Sequence, residues 1–176
     1  MKFTTMNKFF GWTDGSCNYK TEQGGIGVLL KQEIKGEHHQ DSYKISKQIS
    51  EGYFPTTIGR MELKAIIECL KYISDNDSQI IITTDSEYIV NSVMKGFLFN
   101  WEKEGFVFRK NSDLWKEFLT EYKRFTEGNI VLKHVKGHSG IEENEICDKL
   151  CSYKQFKTYK TDLSVKERND MYYGLK

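Results

Sequence analysis

The chain has 176 residues, the size of one domain able to bury a real core. Aromatic residues make up 14% and there is a single proline, which excludes a disordered or low-complexity chain. Lys and Arg number 26 against 25 Asp and Glu, a net charge of +1, so any contact with nucleic acid must come from a local patch rather than an overall basic field.

Residues 8–14 alternate, with Phe10, Trp12 and Asp14 on one face and Phe9, Gly11 and Thr13 on the other, the period of a strand. Asp14-Gly15-Ser16 closes it with turn chemistry. Gly24–Leu30 reads as a second strand after a glycine-rich turn. Residues 36–49, with Tyr43, Ile45 and Ile49, read as a third, more polar strand, and the three suit an antiparallel meander. Residues 60–75 switch to helical period, with Ala65, Ile66, Cys69, Leu70 and Ile73 at spacings of three and four. Glu62 falls on this inward stripe, a poor place for an unpaired charge.

Ile80-Ile81-Ile82 has the look of a strand buried on both faces. Asp85-Ser86 follows and can cap a helix over 86–95. Asp85 thus lies at the carboxyl end of a strand, where open α/β sheets bind ligands. Residues 97–106 predict a short amphipathic helix ending at Gly105. Ser112 or Asp113 starts another, with Leu114, Trp115, Phe118, Leu119 and Tyr122 inward. Ile130–Leu132 makes a fifth strand, and Lys136–Gly140 a loop whose glycines bracket His138. Residues 142–156 predict a last helix, with Asn144, Asp148 and Cys151 on one stripe, so Asp148 is expected to face inward. After Ser152 a mild basic tail holds Lys154, Lys157, Lys160, Lys166, Arg168 and Lys176 against Asp162, Glu167 and Asp170, which reads equally as a solvated helix or a frayed end.

The cysteines, Cys17, Cys69, Cys147 and Cys151, form no CxxC pair and no disulfide-like pattern, and read as the reduced thiols of an intracellular, cytoplasmic protein. Cys147 and Cys151 can share a helix face, where buried core thiols are a better reading than a zinc site. The start has no apolar run long enough for a signal peptide, and no stretch approaches a membrane span.

Four acids stand out: Asp14, Glu62, Asp85 and Asp148. Taken singly, Asp14 and Asp85 read equally as turn or cap residues, and Asp148 could pair with Lys149 or Lys154. Converging, they would hold hard divalent ions. Two Mg²⁺ ions roughly 4 Å apart can activate a water and stabilise a leaving alkoxide in phosphodiester hydrolysis. Carboxylates about 4 Å apart repel by roughly 4 kcal/mol at a surface-like dielectric, so the metal-free site is expected to be strained and its titrations coupled. His138 alone is an ordinary loop histidine, but flanking glycines suit a mobile proton carrier.

In chain order the motifs are Thr13-Asp14-Gly15-Ser16-Cys17, Arg60-Met61-Glu62-Leu63-Lys64-Ala65, Thr84-Asp85-Ser86-Glu87-Tyr88, Asn100-Trp101, Asp113-Leu114-Trp115, His134–Gly140 and Asn144–Asp148. Together, over roughly residues 9–155, the chain resembles type I ribonuclease H of the bacterial ribonuclease HI kind. The resemblance implies an α/β, ribonuclease H-like fold: a five-stranded mixed sheet, order 3-2-1-4-5, with helices on both faces. It implies endonucleolytic, two-metal-ion hydrolysis of the RNA strand of an RNA–DNA hybrid, leaving 5′-phosphate and 3′-hydroxyl ends. Asp14, Glu62, Asp85 and Asp148 carry over as ligands of two Mg²⁺ ions, with Mn²⁺ a possible substitute. His138 carries over as the histidine assisting proton transfer, Asn144 as a substrate contact, and Trp101 as an aromatic near the DNA strand. Ser16 and Ser86 are placed to sense the 2′-hydroxyl. Thr57 and Arg60, supported by Lys136, are the candidates for a DNA-phosphate anchor, Arg60 reading equally as a solvated first-turn charge.

The chain departs from the family at three places. The first loop reads Asn18–Gln23 instead of Gly-Asn-Pro-Gly, Ile58-Gly59 replaces two asparagines, and the basic stretch between Trp101 and Trp115 is short. Hybrid affinity is therefore expected to be weaker or differently anchored. Residues 1–156 are taken as the domain and 157–176 as an extension of unknown role that could restore affinity or cover the sheet edge. A monomer with no membrane contact is expected. Two other readings compete: a nuclease of the same fold acting on DNA junctions or ends, and a non-catalytic hybrid-binding module.

Overall fold

The computed structural model describes residues 6–35 and 42–173. Residues 36–41 of the expected third strand, the first five residues and Lys176 lie outside this range.

Strands β1 (Lys8–Asn18), β2 (Gln23–Ile34) and β3 (Ser42–Tyr53) form an antiparallel meander, and β4 (Gln79–Thr84) and β5 (Ile130–His134) add in parallel on the other side of β1. The order is β3-β2-β1-β4-β5, as expected. Helix α1 (Ile58–Tyr72) packs on β1 and β2 with Met61, Ala65, Ile66, Cys69 and Leu70 buried. Helices α2 (Glu87–Met94), α3 (Phe97–Lys103) and α4 (Ser112–Lys123) follow β4, and α5 (Glu142–Cys151) follows β5.

Glycines show that helices cover both faces. A Cβ on Gly11 would meet Cys69 of α1, whereas one on Gly27 would lie 2.2 Å from the Cys147 carbonyl oxygen of α5. Side chains alternate across a strand, and the same opposition separates Gly24, facing Met61 of α1, from Gly25, facing Cys151 of α5. Backbone approaches this close admit only glycine.

The carboxyl end of α1 is capped from outside: Arg124 donates to the Leu70 and Ile73 carbonyl oxygens at 2.7 and 2.8 Å, satisfying acceptors the helix leaves open and placing a cation at its negative end. One core joins α1, α4 and the inner strands around Trp115, Phe118, Ile66 and Leu70.

Several boundaries differ from expectation, three of them consequential. β1 continues four residues past Asp14 because Gly15–Asn18 pair with Gln23–Ile26. The last predicted helix stops at Cys151, where Ser152 turns out of helical conformation. A further helix, α6 (Leu163–Tyr173), lies in the tail, which packs on the domain instead of fraying. Among the described residues no helix is long and apolar enough to cross a membrane.

Candidate active site

Strand register brings the first two acids together. Thr13 of β1 pairs with Thr84 of β4 in the last pair of their parallel ladder, so Asp14 and Asp85 emerge side by side just beyond it. α1 starts against the end of β1, where a Cβ on Gly15 would lie 2.4 Å from the Glu62 nitrogen; this contact sets Glu62 beside Asp14. On the other face, the contact of Gly27 with α5 draws Asp148 toward Asp14, which sits opposite Gly27 in the ladder. The four acids share one hollow of about 210 Å³ with Gly15, Ile58, Gly137, His138, Asn144 and Glu145. That is several times the ~30 Å³ share of a water molecule, ample for ions and a phosphate.

The electrostatics are those of crowded carboxylates. Burial, and next the charge of Asp85, lift Asp14 to about 7 against the opposing Gly15 N–H, with Asp148 and Glu62 adding to the rise. That N–H donates to Asp14 Oδ1 at 2.7 Å. Burial raises Glu62 as well; the Ser86 hydroxyl, donating to Glu62 Oε2 at 2.9 Å, opposes the rise and Asp85 adds to it. A cleft of hard oxygen donors with unrelieved repulsion fits a divalent cation. Ligand atoms of Asp14, Asp148 and Cys151 lie within 4.8 Å of one another, so the buried Cys151 thiol backs the acids.

His138 is exposed on the loop after β5, at φ 54. The Val135 N–H donates to the Thr84 carbonyl oxygen, carrying the loop over the end of β4, and a Cβ on Gly137 would come within 2.9 Å of Asp85 Oδ2. Gly137→Ala must therefore displace either the Asp85 carboxylate or the loop carrying His138. We expect kcat on hybrid to fall by about 100-fold, the cost of roughly ångström misplacement, with KM little changed; steady-state kinetics at saturating Mg²⁺ checks this.

Several expectations change. Asp148 is exposed at the rim, because the inward stripe of α5 is Cys147 and Cys151. Arg60 is 5% exposed and held between two carboxylates, neither a solvated charge nor a free phosphate anchor. Its guanidinium donates to Asp113 and Asp162. Against the upward push of burial, hydrogen bonds from Arg60 and Ser164 hold Asp113 down to about 2. Ser16 donates to the Cys151 carbonyl oxygen and accepts from the Tyr153 N–H. Ser86 is buried and turned to Glu62, so both serines orient protein groups. Lys136 is exposed outside the hollow and Asn144 lines it.

Thr57 precedes α1 with a buried hydroxyl that has no hydrogen-bond partner among the described residues. Trp101 is 9% exposed, packed on Trp115 and covered by the Arg109 guanidinium 5.0 Å from its ring. Tyr88, stacked on Trp101, is exposed instead. Tyr88 lines a second depression with Gly59, Lys110, Asn111 and Trp115, adjoining the hollow through Ile58 and Gly59. Tyr88 and Glu145 lie within the quoted motifs but carry no expected role. Tyr88 stands three residues after Asp85 on the first turn of α2, and Glu145 lies one helical turn before Asp148, spacings that could have pointed to both.

A strand-end cleft of clustered carboxylates on a mixed α/β sheet defines a site for cation-assisted chemistry on phosphates. The family model for RNase H matches residues 6–155. Ribonuclease HI of Pasteurella multocida is 42% identical over 144 residues, covering 79% of this chain and 84% of that protein. Ribonuclease H of Syntrophomonas wolfei is 36% identical over 150 residues, covering 82% and 94%. Among solved structures, LC9-RNase H1, a type 1 RNase H with the type 2 active-site motif, matches with a TM-score of 0.66 at 26% identity, covering 84% of this chain and 71% of that one. A foamy viral protease–reverse transcriptase, solved with an RNA/DNA hybrid, shares the fold at a TM-score of 0.65 and 19% identity, over 86% of this chain and 20% of that one. The chain belongs to the RNase H family, metal-dependent nucleases that hydrolyse the RNA strand of RNA–DNA hybrids.

Proposed function

We propose that this chain cuts the RNA strand of RNA–DNA hybrids at the cleft of Asp14, Glu62, Asp85 and Asp148, with Mg²⁺ as its ion. The observation that carries the reading is the convergence of these acids where the β1–β4 ladder stops, with Asp14 pushed up to about 7. Divalent ions bound there would supply an activated water and neutralise the leaving oxygen. The Gly15 N–H fixes the Asp14 carboxylate through Oδ1. Ser86 orients Glu62 in the same manner. His138, exposed at the mouth, can move a proton between solvent and the scissile phosphate. Asn144, on the lining, can donate to a substrate oxygen.

The groove of Tyr88, Lys110 and Asn111 leads away from the hollow and suits the DNA strand: an exposed ring can pack on a sugar or base, and a lysine can meet a phosphate. The Thr57 hydroxyl at the start of α1, without a partner among the described residues, is the neighbouring candidate for a phosphate contact. Trp101 then serves as the support beneath Tyr88.

The test is cleavage of one labelled RNA, single-stranded, paired with RNA and paired with DNA, in Mg²⁺, Mn²⁺ and EDTA. Cutting of the DNA-paired form alone, lost in EDTA, is the expected result. A folded protein that binds hybrid but cuts it with neither ion would overturn the reading in favour of a binding module; cutting of branched DNA instead would favour a junction nuclease.

A further inference from the structure

Residues 156–173 lie beyond the matched family stretch, yet they grip the turn that leads into α1. The Lys160 N–H donates to the Gly52 carbonyl oxygen at 2.8 Å and the Phe54 N–H to the Lys160 carbonyl oxygen at 2.9 Å, a bridge that covers the end of the β3 edge. Phe156 fills the space over Gly25 and Gly52, where a Cβ on either would strike its ring. Val165 of α6 is buried. Between these anchors stands Asp162, 8% exposed. It accepts from Thr56 Oγ1 at 2.9 Å, from Arg60 Nε at 2.6 Å and from Arg60 Nη2 at 2.9 Å. The other edge of the Arg60 fork donates to Asp113 at 2.8 and 2.6 Å, and Ser164 Oγ donates to the same carboxylate at 2.8 Å.

The placement of this network matters more than its existence. Arg60 stands two residues before Glu62 on the first turn of α1. That turn has no side-chain cap and no acid of its own, so it lacks the usual locks of a helix start. Asp162 and Asp113 supply negative charge there from outside the helix, and a bidentate carboxylate–guanidinium pair fixes orientation as well as distance. A slack first turn would let Glu62 drift from Asp14 and Asp85.

We propose that Asp162 is a positioning residue for the cleft: through Arg60 it locks the first turn of α1 and with it Glu62, which makes the segment after the family domain a working part of the active site. The proposal rests on the reading of Glu62 as a site carboxylate.

The test uses the full chain, wild type against Asp162→Asn, well below the unfolding transition. In the metal-free protein, amide exchange at Met61, Glu62 and Leu63 is expected to speed up at least tenfold, with exchange in β4 unchanged. On hybrid, kcat is expected to fall about tenfold, as misplacement of a reacting group predicts, and half-saturating Mg²⁺ to rise severalfold, with KM for hybrid within about twofold. In an Arg60→Met background the same substitution should add little, because its route has been removed. Asp162→Glu, which keeps the charge, gives the same readouts on a smaller scale should the asparagine variant fail to fold. A lower unfolding midpoint with first-turn exchange, kcat and Mg²⁺ midpoint all unchanged would overturn the proposal, leaving Asp162 a purely structural clamp. The exchange measurement needs no activity, so a wild type that does not cut hybrid would sink the functional reading separately.

Discussion

Asp14→Asn is expected to abolish hybrid cleavage and to make the metal-free protein more stable at neutral pH. The carboxylate is lifted to about 7 by burial and by Asp85, so the folded protein holds a proton there that the unfolded chain releases near the ordinary aspartate value of 3.8. Between about pH 4 and 7 the folded state therefore binds more protons, and by linkage the contribution of Asp14 to stability falls as pH rises through that window. Above pH 7 the ionised group imposes its full cost. Three units correspond to a ceiling of about 4 kcal/mol, and solvent in the open cleft reduces the expected gain to about 1–3 kcal/mol. Asparagine can still accept the Gly15 N–H, so no buried donor is orphaned. Denaturant titrations at pH 5 and 8 should show the stability gap between variant and wild type opening toward pH 8. A gap of zero, or one that does not vary with pH, would contradict the repulsion argument. Loss of cleavage by about three orders of magnitude is expected because a ligand of the ions and their charge balance go together.

Gly15→Ala is the second large effect. The new methyl would sit 2.4 Å from the Glu62 nitrogen and 2.6 Å from the Met61 carbonyl carbon, backbone atoms that no rotamer change can move. α1 must lift from β1, at about 2–4 kcal/mol of stability, and Glu62 leaves Asp14 with it, so kcat falls even in the folded fraction. Gly59→Ala in the same helix is the control. Its Cβ would meet nothing nearer than Asn111 at 3.7 Å, and helix propensity favours alanine there by up to about 1 kcal/mol. Thermal melts of the two variants should move in opposite directions; a stable Gly15→Ala protein would show that the helix–strand contact is looser than drawn.

Much of the site was legible in the sequence for a physical reason. Asp14, Glu62 and Asp85 occupy positions fixed by local periodicity, on a strand, just after one or near the start of an amphipathic helix, and a charge there stands out without knowledge of the partners. Asp148 was found by motif, but its orientation was misjudged, because which stripe of α5 faces the sheet depends on the approach of that helix to Gly27 and Gly25. Arg60 was read as exposed because its partners lie 53 and 102 residues away, and no local pattern announces such a pairing. The serines fared similarly: motif position brought Ser16 and Ser86 near the site, while hydrogen bonds to Cys151 and Glu62 decided what their hydroxyls do.

By itself the sequence determined the alternation of strands and helices, the sheet order through the family resemblance, and the acids on which the chemistry turns, since periodicity and turn residues act over a few neighbours. Only the tertiary structure decided that Tyr88 rather than Trp101 is the exposed ring, that Glu145 and Gly137 border the cleft, and that the tail closes on Arg60. Each of these depends on contacts between elements far apart in the chain, and burial and long-range pairing are properties of the assembled packing.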